Sequence, residues 1–204
     1  MSLSAIGVRA ASENLEVSKL SSGIKYLDSF LDGGLPLGAI TEWGVPLGRG
    51  GRAVVMNFLS TLLSRELDEK PRWGLWAYSR PQLMVYPPAW AAHGIELSRV
   101  RFAFSENPIT DLKPVFLDPW FRIIVLDAPR SLSIDDCAFL SRVARDNNQS
   151  IVILRDFFLG SRRGNVFAKL RVNCWQNHST KKFHLKVVRG LSPRQIALDI
   201  NTKR

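Results

Sequence analysis

A glycine-rich segment near the N-terminus, LDGGLPLGAITEWGVPLGRGGRAVV from Leu31 to Val55, constrains the fold of this chain most strongly. Its pattern predicts a turn, a buried strand, a glycine-rich loop and the start of a helix. This is the layout of a phosphate-binding P-loop, in which backbone N–H groups surround a phosphate at a helix N-terminus. With 204 residues, the chain is long enough for one α/β domain built around this unit.

The chemistry of the loop departs from that of a working P-loop. The active pattern, G-x-x-x-x-G-K-[ST], supplies a Lys for the β- and γ-phosphates and a hydroxyl for Mg²⁺. Here Arg52 stands at the lysine position and Ala53 at the hydroxyl position, or Gly51 and Arg52 in the other register. Neither register gives Lys followed by Ser or Thr. The sequence therefore predicts a vestigial anion loop without catalysis or metal; its glycines are Gly44, Gly48, Gly50 and Gly51.

An apolar segment that ends in Asp, FRIIVLDA at residues 121–128, matches a Walker B strand. In an active ATPase, Asp127 would hold Mg²⁺ through water. Because Ala53 carries no hydroxyl to share the metal, we interpret Asp127 as a structural carboxylate that accepts hydrogen bonds from loop N–H groups. Metal binding stays the alternative.

The excess positive charge of this chain, +10 in total, is concentrated in its last quarter. Residues 1–150 contain 16 Lys/Arg and 16 Asp/Glu, whereas residues 151–204 contain 12 Lys/Arg and two Asp. Such polarisation favours an anionic partner, most often nucleic acid. A solvated basic face is the alternative.

After residue 154 the pattern changes from alternating strands and helices to three successive strands, at 169–175, 183–188 and 196–200. The loop FFLGSRRGN, residues 157–165, precedes them. Its arginines and phenylalanines are a combination that contacts phosphates and stacks on bases. The candidate DNA-binding residues are Arg162, Arg163, Lys169, Lys181, Lys182, Lys186 and Arg189, with Arg171 and Arg194 on or between the same strands.

Two further segments are candidates for protein contacts. Residues 1–20 are predicted to be an extension before a domain that spans 21–204, and its candidate docking residues are Ile6, Val8 and Arg9. A frayed terminus is the alternative. Tyr86 and Trp90 lie in a proline-rich segment that suits a protein contact, unless Trp90 packs in the core.

Cysteine spacing and hydropathy exclude several other classes of protein. Cys137 and Cys174 match no metal or redox motif, which is typical of reduced, buried thiols. No apolar run approaches the roughly 18 residues of a membrane span, and no secretory segment is evident. The sequence therefore predicts a cytoplasmic protein without metal, cofactor or membrane contact.

Two stretches carry a family resemblance. Ser21 to Gly44 resembles the segment that leads into the P-loop of RecA, and Arg72 to Phe102 resembles the degenerate ImuA branch of that superfamily and, more distantly, SulA. The first match rests on Ser22-Gly23, Leu27-Asp28, Gly33 to Pro36, Gly38 and Glu42. The second rests on Pro81, Tyr86-Pro87, Ala89, Ala91-Ala92, Gly94 and Leu97 to Arg99. The resemblance extends from about residue 5 to the C-terminus.

The resemblance implies a RecA-like core, which is a mostly parallel twisted sheet flanked by helices and extended by antiparallel C-terminal strands. It places Gln82 where RecA has a catalytic Glu, and it places the 157–165 loop where RecA has its second DNA-binding loop. It also implies that an N-terminal strand docks on a neighbouring RecA-fold subunit.

The ImuA resemblance implies a non-catalytic accessory role in bacterial SOS mutagenesis and translesion synthesis. The implied partners are an ImuB-type polymerase-like adaptor, an error-prone replicative-type DNA polymerase or RecA, and single-stranded DNA. Two alternatives are a nucleotide-binding ATPase with a variant P-loop and a SulA-like inhibitor of cell division. The glycine-rich residues 33–51 argue against the second, because SulA lacks them.

Overall fold

The structure is a computed structural model that describes residues 18–64, 72–162 and 164–199. The predicted docking residues Ile6, Val8 and Arg9, and the candidate DNA-binding residue Arg163, lie outside the described residues.

Ten strands and six α-helices make up the described part of the chain. The strands are β1 Lys19–Leu20, β2 Leu35–Pro36, β3 Ala39–Gly44, β4 Trp73–Tyr78, β5 Val100–Phe104, β6 Phe121–Asp127, β7 Ser150–Arg155, β8 Ala168–Gln176, β9 Phe183–Arg189 and β10 Gln195–Leu198. The helices are α1 Lys25–Phe30, α2 Arg52–Ser64, α3 Pro87–Ala92, α4 Pro108–Asp111, α5 Lys113–Leu117 and α6 Ile134–Asn147.

Eight of these strands form one sheet in the order β10-β9-β8-β3-β7-β6-β4-β5. The six strands from β8 to β5 are parallel to their neighbours, whereas β9 and β10 are antiparallel. The prediction of an α/β fold with a mostly parallel sheet and antiparallel C-terminal strands is confirmed at this level.

One strand runs differently from the expectation. The first of the three C-terminal strands, β8, was expected to be antiparallel, but it pairs in parallel with β3. A parallel connection requires a crossover of about a dozen residues. Segment 156–167 is long enough to cross from β7 over β3 without a helix, so the antiparallel extension begins only at β9.

Apolar side chains cover both faces of the central sheet. One face packs against α1 and α2 through residues such as Leu27 and Phe58, and the other packs against α6 through Leu140 and Val143. Ser133 is the N-cap of α6: its Oγ accepts a hydrogen bond from the Asp136 backbone N–H at 3.0 Å, and the Asp136 carboxylate accepts one from Ser133 N–H. This capping box fixes where α6 begins.

The folded part begins before the predicted boundary at residue 21. Lys19–Leu20 pairs with Leu35–Pro36, and Leu20 is buried in the core. Within the described residues, no helix has the length and apolar character needed to cross a membrane.

Strands β9 and β10 expose one face of the sheet, whereas Arg171 and Asn173 on the same face of β8 are buried. Residues such as Leu170, Val172 and Leu185 point into the core, whereas Lys186 and Gln195 on the opposite face are exposed. The parallel core thus continues into a basic sheet surface at the β10 side.

Candidate functional site

The glycine-rich loop, residues 45–51, packs closely against β8 and the loop that follows β7. A Cβ atom at Gly51 would lie 2.6 Å from the carbonyl oxygen of Cys174, and one at Gly44 would collide with the Asn173 side chain. The Gln176 N–H donates a hydrogen bond to the Arg49 carbonyl at 2.6 Å. Close approach to β8 therefore explains why glycine is needed at positions 44 and 51, without reference to a phosphate.

Arg52 pairs with the acid at the end of β6. Its Nε lies 2.9 Å and 3.0 Å from the two Asp127 carboxylate oxygens, and its Nη2 lies 2.7 Å from Oδ1. Its Nη1 donates to the Val45 carbonyl at 3.0 Å. The guanidinium thus joins the glycine-rich loop to β6, and each of its three nitrogens donates a hydrogen bond within the protein.

Asp127 forms an ion pair with Arg52, and its partners differ from those expected. The sequence predicted that it would accept hydrogen bonds from loop N–H groups, whereas its side chain accepts them from Arg52 and from Trp76 Nε1 at 3.3 Å. The carboxylate is only 2% exposed. Burial raises the pKa of Asp127, and the Arg52 guanidinium acts in the opposite direction.

A second buried ionic cluster lies beside the loop that follows β7. Glu42 on β3 accepts from Arg155 Nε at 3.0 Å and from Arg171 Nε at 2.8 Å, and Arg171 also donates to the Gly160 carbonyl. All three side chains are largely buried. Arg171 was expected among the basic residues of the terminal strands, but it holds the 157–165 loop instead of facing solvent.

The remaining candidate DNA-binding residues that the structure describes lie in four places on or beside the C-terminal strands. Arg162 lies in the loop, Lys181 and Lys182 in the β8–β9 hairpin, and Lys186 in the middle of β9; all four are exposed. Lys169 and Arg189 are exposed at the opposite end of the same strands. Arg194 is an exception, because it pairs with Asp32 at 2.6 Å.

Aromatic side chains lie between these cations. Trp175 on β8 stacks on His184 of β9 with ring centroids 5.4 Å apart, and Phe158 contacts Trp175 edge-to-face at 5.5 Å. Phe158 is exposed, and Leu159 beside it is fixed by two hydrogen bonds to the Asn173 side chain. An aromatic surface flanked by lysines is the arrangement that binds single-stranded nucleic acid.

The sequence reasoning missed Trp175, His184 and Arg49 as candidates. Arg49 is exposed in the glycine-rich loop. Gln176 links this loop to the β8–β9 hairpin, because its backbone N–H donates to the Arg49 carbonyl and its side-chain amide donates to the Lys181 carbonyl. Strand alternation was a usable signal for Trp175. Trp175 on β8 pairs with His184 on β9, and the exposed Lys186 lies two residues further along β9, on the same face of the sheet.

The two residues of the proline-rich segment that were proposed for a protein contact, Tyr86 and Trp90, differ in exposure. Tyr86 is exposed, whereas Trp90 is buried between Trp76 and Phe102, with ring centroids 4.7 Å and 4.9 Å away. Core packing, the alternative for Trp90, is therefore observed, and Trp90 is removed from the contact surface. Gln82 is exposed in a 3₁₀ turn at Pro81–Leu83.

The two thiols are buried, and burial raises the pKa of both Cys137 and Cys174. Among the described residues, no group of three His, Cys, Asp or Glu side chains is placed to hold a metal ion.

No protein-family model matches this chain, and no curated protein is significantly similar to it.

Proposed function

We propose that this protein binds single-stranded DNA on the exposed face of β8–β10 and does not hydrolyse nucleotide. The observation that supports this most strongly is the Phe158–Trp175–His184 aromatic cluster, in which Phe158 is exposed and Trp175 and His184 are partly exposed, beside the exposed Lys186. Stacking tolerates any base sequence, and the surrounding cations attract the phosphate backbone. The affinity should therefore depend little on the base sequence of the DNA.

The glycine-rich loop supports the non-catalytic half of the proposal. Arg52, at the lysine position, is held by Asp127 and the Val45 carbonyl, so a γ-phosphate would have to compete with a buried carboxylate for it. Ala53 offers no hydroxyl for Mg²⁺. The main alternative is an ATPase with a variant P-loop. Such an enzyme would need both a cation that is free to contact the γ-phosphate and a hydroxyl that binds Mg²⁺.

We expect no ATP turnover above background with Mg²⁺, with or without single-stranded DNA, because the metal hydroxyl and the free lysine are both missing. Phosphate release measured over hours at micromolar protein checks this. Turnover in the range of ordinary P-loop ATPases would contradict it, provided that it copurifies with the protein through two chromatographic steps.

Replacing both hairpin lysines, Lys181→Ala with Lys182→Ala, should weaken oligonucleotide binding and lower the slope of log K against log salt. Counterion release predicts a reduction of about 1–2 units if both residues contact phosphates. Fluorescence anisotropy across a salt series measures the slope. The matched control is Lys25→Ala with Lys113→Ala, which removes the same charge at exposed positions on other elements. An equal change in both variants would mean that only net charge matters.

The cellular role rests on the resemblance described for residues 21–44 and 72–102. On that basis we propose a cytoplasmic RecA-like accessory protein of SOS mutagenesis and translesion synthesis, which acts with an ImuB-type adaptor, an error-prone polymerase or RecA. Affinity capture from cells after DNA damage tests this role. Recovery of a polymerase-like adaptor or RecA would support it, and recovery of a cell-division protein would favour the SulA-like alternative.

A further inference from the structure

A cavity of about 660 Å³ lies between the loop that follows β7 and the beginning of α6, and the proposed function does not use it. We call it the loop pocket. Its walls include Ile134 of α6 and Phe157 and Val166 of the loop, and the Glu42–Arg155–Arg171 cluster lies at its inner end. A concave apolar site with a few converging polar groups is the usual form of a ligand site.

At the inner end of the loop pocket, the guanidinium groups of Arg155 and Arg171 both contact the Glu42 carboxylate. Arg155 donates through Nε to Glu42 and through Nη1, at 3.4 Å, to the Pro129 carbonyl. Its Nη2 makes no hydrogen bond to any residue that the structure describes, and it is not among the buried polar atoms that lack a partner. A largely buried guanidinium with an accessible donor favours a negatively charged acceptor.

The rim of the loop pocket is unusually apolar for a protein surface. Ile134 is 76% exposed, Val166 is 68% exposed and Phe157 is 55% exposed. Apolar side chains that stay exposed contribute little to the stability of the fold. A cluster of them around a cavity is typical of an interaction site. The rim therefore suits an apolar side chain of a ligand, which would cover all three.

We propose that the loop pocket binds a peptide segment of a partner protein, in which a carboxylate pairs with Arg155 and an adjacent apolar side chain packs on Ile134, Val166 and Phe157. A carboxylate matches the charge and the planar donors of the Arg155 guanidinium. A phosphodiester chain fits less well, because its successive charges need several cations and its bases need flat aromatic partners. Two of the three rim side chains are aliphatic. This inference is independent of DNA binding on the sheet face.

The probe is the peptide acetyl-Ser-Gln-Asp-Leu-Phe with a C-terminal amide, which carries one carboxylate next to an apolar residue, titrated into the full-length protein by calorimetry and by NMR. The control peptide has Asn in place of Asp. We expect saturable binding of the first peptide and at least tenfold weaker binding of the second, because the charge at Arg155 is then unmatched.

Two variants of the protein locate the site. Ile134→Ser with Val166→Ser changes only exposed side chains and should reduce peptide affinity at least tenfold without altering the fold. Arg155→Gln should remove the preference for the carboxylate peptide, with Lys113→Ala, at an exposed position on α5, as the control that leaves peptide binding unchanged. Absence of binding at millimolar peptide, or an unchanged peptide affinity in the Ile134→Ser, Val166→Ser variant, would overturn the proposal. It would also be overturned if single-stranded DNA displaced the bound peptide and an excess of the same peptide did not.

Discussion

Replacing Arg52 by Met should lower the free energy of unfolding by about 3–5 kcal/mol, because it leaves a buried carboxylate without its charged partner. Asp127 is 2% exposed, and the Trp76 N–H at 3.3 Å is the only other side-chain donor to it within the described residues. Urea unfolding followed by tryptophan fluorescence measures the loss. The change also frees the glycine-rich loop from β6.

The loss should depend on pH with a definite sign. Burial already raises the pKa of Asp127, and removing Arg52 removes the interaction that opposes this rise. The folded variant then binds a proton more tightly than the unfolded chain, so its stability falls as pH rises through the folded-state pKa. The deficit relative to the wild type should therefore be smaller at about pH 5 than at about pH 8.

A double variant and a loop control separate the ion pair from general disruption of the loop. Arg52→Met combined with Asp127→Asn should recover much of the loss, since no buried charge remains. Arg49→Ala, an exposed position of the same loop, should change stability by less than about 0.5 kcal/mol. If Arg52→Met costs no more than Arg49→Ala, the pair does not hold the loop.

Trp175→Ala should weaken binding to an oligothymidylate by about 5- to 150-fold, the equivalent of roughly 1–3 kcal/mol for one stacked base. Trp175 and His184 form a stacked pair on the exposed face, and Phe158 lies at its edge. The loss should be similar at low and high salt, because stacking releases no counterions. Anisotropy titration at two salt concentrations measures both quantities.

The matched control is Trp120→Ala, since Trp120 is also a partly exposed tryptophan but lies just before β6, away from the C-terminal strands. It should leave DNA affinity unchanged. Equal losses for the two tryptophan variants would exclude the aromatic cluster as the DNA site. Circular dichroism confirms that both variants are folded.

Local signals in the sequence were sufficient for most elements of the fold. The apolar segment predicted at 121–128 contains β6, and the strand predicted at 183–188 coincides with β9 to within one residue. Apolar periodicity, proline, glycine and capping residues determine these features over a few residues, so they are readable without tertiary contacts. The direction of β8 was not readable, because it depends on whether the chain after β7 crosses over the sheet or turns back as a hairpin.

Side-chain partners were the part that sequence reasoning could not supply. Arg52 meets Asp127 across 75 positions, and Glu42 meets Arg155 and Arg171 across 113 and 129 positions. Composition marked Arg171 as one more surface cation, and only the sheet register places it opposite Glu42. The charge count of a segment therefore overestimates the charge that its surface presents.

The most direct test of the account is a titration of fluorescein-labelled oligothymidylate with the full-length protein at low salt, without nucleotide and then with Mg²⁺-ATP. The account predicts saturable binding that weakens steeply as salt rises and is unchanged by Mg²⁺-ATP. A folded protein that shows no binding at low salt, or that binds only when Mg²⁺-ATP is present, would contradict it.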